Sequence, residues 1–114
     1  MAEHMATTVP QAAALGFRLV SVQHGRGSIS VPWREDLVGD PETGVIAGGV
    51  VTSLLDHTCG LAAAAAAGTE PFSTATLDLR IDYMRAATPR AEVIAEAHCY
   101  KVTRTITFVC ADKP

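Results

Sequence analysis

Large aromatic side chains are scarce in this chain, whose 114 residues hold one Trp, three Phe and two Tyr. Its 48% hydrophobic content is carried largely by small residues, 19 of them Ala. A domain of this size buries only about two thirds of its unfolded surface, so a core short of bulk is expected to be shared with a second copy. Cysteine is also sparse. Cys59, Cys99 and Cys110 are odd in number and lack CxxC or Cys/His spacing, which argues against a disulfide framework or a metal site and points to a reducing compartment. Positive charge is thin and scattered: the formal net charge is −3 and the isoelectric point lies near 5.7. Nucleic acid therefore has no basic stripe to bind. No apolar run reads as long enough to span a bilayer, and no basic region followed by an apolar segment opens the chain. A cytoplasmic protein with no membrane partner is expected. Length and composition predict one domain over residues 1–114, with 1–7 disordered or tag-derived.

What is present organises the chain around one helix. Residues 8–16 read as a short helix with Thr8 as a possible cap, Pro10 in its first turn and Gly16 at its end. Residues 17–23 and 28–33 are rich in β-forming side chains and are separated by His24-Gly25-Arg26-Gly27, a hairpin signal. Residues 38–44 are dense in turn formers and read as a loop. From Gly48 to Ala67 the pattern turns helical, with Val51, Leu54, Leu55, Cys59 and Ala62 on one stripe and Gly68 as a stop. Residues 76–83 alternate polar and apolar without a fault, which predicts a strand with one buried face. Residues 92–100 and 106–110 predict two more strands, with a change of parity at 101–105 that implies a turn or bulge. The expected class is α+β: an antiparallel sheet of about five strands with one long central helix.

The far side of that helix is unusual. Stepping roughly 100° per residue, Gly49, Thr52, Ser53, Asp56, Gly60, Ala63 and Ala67 fall opposite the apolar stripe. A solvated face would carry Lys, Glu and Arg, whereas this one is small except for a single carboxylate. Taken alone, Asp56 reads first as an ordinary charged residue at a helix flank. Gly48 and Gly49, however, leave unobstructed N–H groups at the positive end of the helix dipole. Such donors can polarise a carbonyl, and a carboxylate on the same face suits hydrolysis of an acyl compound. Gly49 and Asp56 stand about 10.5 Å apart along the axis. That is too far for one carbonyl to use both on one chain, so cooperation requires two antiparallel helices from different subunits meeting through their small faces.

Gly44-Val45-Ile46-Ala47-Gly48-Gly49, Leu54-Leu55-Asp56 and the run from Thr76 to Arg85 together resemble the hotdog-fold thioesterases of the PaaI-like acyl-CoA type. The resemblance spans about Leu15 to Val109. It implies a sheet wrapped around the central helix, a homodimer often doubled to a homotetramer, and hydrolysis of acyl-CoA thioesters at subunit interfaces. No separate cofactor or metal is implied, since coenzyme A is part of the substrate. Residue by residue, it makes Asp56 the general base or nucleophile, Gly49 the backbone donor that polarises the thioester carbonyl, and Thr76 a hydroxyl near the attacking water. Gly48 and Ala47 would line the substrate, and Arg85 and Arg104 rank first among the arginines for the CoA phosphates. The chain departs from the pattern at Ala47, where many members carry His, at Pro41, where they carry Asn, and at Thr103-Arg104, where Gly-Arg is frequent. Members usually have a further strand after the one ending near Cys110, so either the chain is truncated or the sheet lacks its last strand, with one edge open to pairing.

The remaining candidates read structurally. His57 points about 100° away from Asp56 and is expected to pack, His98 to be exposed, and Cys59 to be a buried inert thiol. Arg80 and Arg90 are the other arginines that could hold CoA phosphates, and each of the four read singly is more often a surface residue. The acyl group, small aryl or medium-chain, is open at this level. So are two other readings: a non-catalytic hotdog acyl-CoA-binding or interaction protein, and a hydratase or dehydratase, for which no acid–base histidine is evident.

Overall fold

The computed structural model describes residues 7–67 and 74–113. Of the segment expected to be disordered or tag-derived, all but Thr7 lies outside the described residues, as does the Gly68 stop. Helix α1 (Pro10–Leu15) begins with proline in its first turn. Val9, with no side-chain cap bond, stands where Thr8 was expected, and Gly16 ends the helix at φ 76°, its N–H donating to Ala12 O and Ala13 O. Strands β1 (Arg18–Gln23) and β2 (Arg26–Val31) follow. They form a tight hairpin that pairs Gln23 with Arg26 and turns on Gly25 at φ 71°.

Residues 38–44 are not simply a loop. Strands β3 (Val38–Asp40) and β4 (Val45–Ile46) pair antiparallel in a small separate hairpin. The turn formers do make its turn, where Gly44 N–H donates to Asp40 O at 2.8 Å. The short β-branched ends were hidden in the sequence by the density of those turn residues. This hairpin delivers the chain to helix α2 (Gly48–Ala67), whose bounds are the predicted ones. The Ala47 N–H donates to Leu37 O, and Val50 N–H donates to Ala47 O, closing the first turn.

Strands β5 (Val93–Val102) and β6 (Thr107–Asp112) complete a four-stranded antiparallel sheet in the order β1-β2-β5-β6. The parity change at 101–105 is a turn, in which Thr103 N–H donates to Ile106 O, and a bulge between Cys99 and Lys101 lies just before it. The helix lies on the sheet through Val51, Leu54 and Leu61, which meet a core containing Ile29, Val31, Val93 and Ala95. Burying each such branched side chain stabilises the fold by about 1.5–3 kcal/mol. The buried Thr58 hydroxyl donates to Leu54 O, and the buried Ser28 hydroxyl to Ala95 O. At Gly27 of β2 the helix comes close to the sheet: a Cβ there would lie 2.9 Å from Leu61 Cδ2. By length and hydropathy, Gly48–Ala66 is apolar enough to cross a bilayer, contrary to the sequence expectation. The sheet packed on its apolar stripe buries part of that window, 39% of it lying inside the structure.

The strand expected at residues 76–83 is absent. The segment is irregular, with a bend at Leu77, and most of its apolar side chains are uncovered: Leu77 is 81% exposed, Leu79 and Tyr83 are exposed too, and Ile81 is half-buried. Two hydroxyl contacts explain its course. Thr76 is bound to Asp56, and Tyr83 to Gly48 near the start of the same helix. Along the helix those two points are about 12 Å apart, whereas a straight strand from 76 to 83 would extend about 23 Å. The segment is therefore a contracted strap across α2, and β6 stays an edge of the sheet.

Candidate active site

The strap, one flank of α2 and β6 enclose an open cavity of about 1060 Å³. Val51, Leu55, Asp56, Cys59, Gly60 and Ala63 supply its helical wall. Asp56 is half-buried there, and Thr76 donates its hydroxyl hydrogen to Asp56 Oδ1 at 2.6 Å. The carboxylate and the hydroxyl named from the sequence are thus brought together, although on a strap rather than a strand.

Gly48 and Gly49 stand exposed at the start of α2. Nothing lies within 4 Å of the place a Cβ would occupy on Gly49, and the same holds for Gly60. Within one chain the small face is therefore open above both glycines. Ala63, assigned to that face, is nevertheless buried near the helix end, where it adjoins the buried run of Leu61, Ala62 and Ala64. Two residues that sequence reasoning missed gather at the helix start. Thr52 donates its hydroxyl hydrogen to Gly48 O at 3.0 Å, and Tyr83 OH reaches the same oxygen at 3.3 Å. The Thr52 and Tyr83 hydroxyls are also hydrogen-bonded to each other. The four-residue spacing of Gly48 and Thr52 was a usable signal for the first contact, whereas nothing local to Tyr83 announced the second.

The other candidates separate. Ala47 is half-buried, with its N–H committed to Leu37 O. Arg85 lines the cavity and its carbonyl accepts Lys113 Nζ at 3.4 Å. Arg104 is exposed in the turn between β5 and β6 and does not itself line the cavity, although its neighbours Thr105 and Ile106 do. Arg80 lines the cavity and pairs with Asp82 at 3.4 Å. Arg90 is tied to the β3–β4 hairpin through its N–H to Gly44 O. His57 packs against the Phe17 ring at a centroid distance of 5.7 Å, and His98 is exposed, both as the sequence suggested. The Cys59 thiol is pushed from 9.0 up to about 11, first by burial and then by the negative charge of Asp56. Burial likewise raises the Cys99 thiol. Among the described residues no group of three or more His, Cys, Asp or Glu could hold a metal ion.

One long helix laid on an antiparallel sheet, with a carboxylate on its flank and a glycine pair at its start, defines an α+β protein of the hotdog type. The model of the Thioesterase superfamily matches residues 43–112, and the chain belongs to that superfamily. A curated Halobacterium salinarum protein named as a candidate esterase is 32% identical over 95 residues, 81% of this chain and 61% of that protein. The chain thus spans about three fifths of the length of that relative. A conserved protein of Pseudomonas aeruginosa has a solved structure at TM-score 0.83 and 28% identity, covering 96% of this chain and 85% of that one. The Escherichia coli PaaI protein, from the phenylacetic acid degradation operon, superposes at TM-score 0.76, covering 98% of this chain and 86% of that one. At 17% identity that likeness is one of fold alone. The resemblance drawn from the glycine pair, the helix aspartate and the following run holds at the level of family and fold.

Proposed function

We propose that this protein is a cytoplasmic acyl-CoA thioesterase acting on a small aryl or medium-chain acyl-CoA, as a homodimer or a dimer of dimers and with no separate cofactor. The observation that carries this reading is the Thr76 hydroxyl on Asp56 Oδ1 at the cavity wall. One carboxylate oxygen accepts the Thr76 hydroxyl, and Asp56 takes a proton from water. In the reaction the water oxygen bonds to the thioester carbon as its proton passes to Asp56. The carbonyl electrons move to oxygen, and the oxyanion is stabilised by the N–H of Gly49 of the partner subunit. Collapse breaks the carbon–sulfur bond, and the departing thiolate takes the proton back from Asp56, leaving the free acid, coenzyme A and the restored carboxylate. Arg85, on the cavity rim, and Arg104 are the side chains offered to the CoA phosphates.

One observation favours a second reading. At Ala47 a methyl group stands where family members often carry a side-chain donor, and its N–H is already bound to Leu37 O. The alternative is a non-catalytic acyl-CoA-binding protein. Release of free thiol from a panel of acyl-CoAs, compared between the unaltered protein and Asp56→Asn, decides between them. The expected loss in the variant is about 10²–10⁴-fold. Equal rates in the two proteins would sink the mechanism, and tight binding without turnover by the unaltered protein would favour the binder.

A further inference from the structure

The amide that joins Gly48 to Gly49 has two polar ends. Its N–H end is the donor on which the proposed function depends. Its carbonyl end, Gly48 O, is met by the hydroxyls of Thr52 and Tyr83 at 3.0 and 3.3 Å, and those hydroxyls also bond to each other. Two hydroxyl hydrogens are thus shared among three oxygens. However they are divided, at least one donates to Gly48 O, and the other donates either to the same oxygen or to the first hydroxyl, which strengthens it as a donor. The Tyr83 ring lies beside the glycine, and a Cβ on Gly48 would be 3.8 Å from Cε1 and from the phenolic oxygen.

We propose that Tyr83 and Thr52 form a positioning pair that orients and polarises the Gly49 N–H; this rests on the reading of Gly49 as the oxyanion donor. The physical link is the conjugation of the amide. A hydrogen bond accepted at the carbonyl oxygen draws electron density from nitrogen and makes the N–H of the same unit a better donor. The pair also fixes the plane of a peptide between two glycines, which is the least constrained link a chain can have. Packing does not account for this use of a tyrosine, because Tyr83 is 61% exposed and its hydroxyl approaches one backbone carbonyl and one threonine. The threonine sits one helical turn beyond Gly48, so both hydroxyls address the carbonyl from outside the ladder of the helix.

The effect belongs to the transition state, where the substrate oxygen is most negative and responds most to donor strength. Deleting an oxyanion donor outright costs about 10²–10³ in kcat, so weakening one through its amide is expected to cost about tenfold. The experiment compares Tyr83→Phe, Thr52→Val and Thr52→Ser with the unaltered protein, using benzoyl-CoA and a medium-chain acyl-CoA. The first two variants should lose about tenfold in kcat with KM little changed, and their combination should lose less than the product of the two, because they act as a unit. Thr52→Ser, which restores the hydroxyl, should recover most of the loss of Thr52→Val. The carbonyl stretch of ¹³C-labelled benzoyl-CoA bound to Asp56→Asn should shift to higher frequency when Tyr83→Phe is added, since the carbonyl is then less polarised.

A rise in KM alone would make Tyr83 a substrate contact and overturn the proposal. So would unchanged kcat and an unshifted carbonyl, in a protein that Asp56→Asn still inactivates; the thioesterase reading would then survive. If Asp56→Asn retains full turnover, or the unaltered protein hydrolyses no acyl-CoA, that reading and this proposal fall together.

Discussion

Burial and the charge of Asp56 one turn away keep the Cys59 thiol protonated, its pKa raised from 9.0 to about 11. At pH 8 its thiolate fraction should be about a hundred-fold below that of a free thiol. Iodoacetamide labelling followed by mass spectrometry should find it slow, rising about tenfold per pH unit towards 11. The linkage has a definite sign. Between pH 9 and about 11 the unfolded thiol ionises while the native one keeps its proton, so the stability it contributes is complete below 9 and lost as pH climbs through that window. Asp56→Asn removes one of the raising causes, and Cys59 should label faster in that variant. No change in rate would mean that the thiol does not feel the carboxylate. The same aspartate was legible in the sequence because it is the one carboxylate on a face of small residues. Thr76 was legible through family resemblance. Tyr83 lay within the recognised run, yet its contact with Gly48 depends on where the strap returns to the helix, and alternation along a chain reports faces, not destinations.

At the scale of elements, the helix was readable to its ends because its apolar stripe and its opening glycines are local properties. The 76–83 segment has an equally clear local pattern, but a strand also needs an edge to bond with, and here its hydroxyl anchors draw it across α2 instead. The β3–β4 hairpin failed in the opposite sense, since two short β-branched ends were outvoted by the turn between them. The approach of α2 to the sheet depends on a glycine whose role no periodicity reveals. In Gly27→Ala the new methyl would lie 2.9 Å from Leu61 Cδ2 and 3.5 Å from the Ala62 backbone nitrogen. Urea unfolding should show a loss of about 1–3 kcal/mol from overpacking. Combined with Leu61→Ala, which alone removes a buried side chain, it should cost less than the sum of the two single changes, because they share one space. A purely additive pair would mean that the helix is not seated through this contact.

For the whole molecule, the expectation of a shared core has support in what the single chain leaves bare. β6 is an open edge, the strap exposes Leu77, Tyr83 and Met84, and Tyr100, Val102, Ile106 and Phe108 are also exposed. Surfaces of this kind are associated with an interface between chains. Light scattering on the purified protein should give at least twice the 12.0 kDa of one chain. Hydrogen exchange of residues 76–83 should slow as the protein is concentrated through assembly. A single-chain mass at every concentration would refute the shared core and, with it, a site built from Asp56 of one subunit and Gly49 of another.

The interior itself carries an asymmetry. Ala12, Ala62, Ala64, Ala95 and Ala97 are all buried, so much of the space between helix and sheet is set by side chains that end at the first carbon. Replacing a leucine in an ordinary core leaves a hole, but a replacement at these positions nearly always adds volume. Inherited variation in this protein should therefore be filtered by size before polarity, with serine passing more easily than valine. The pattern of tolerated change would be the inverse of that left by a core of large side chains.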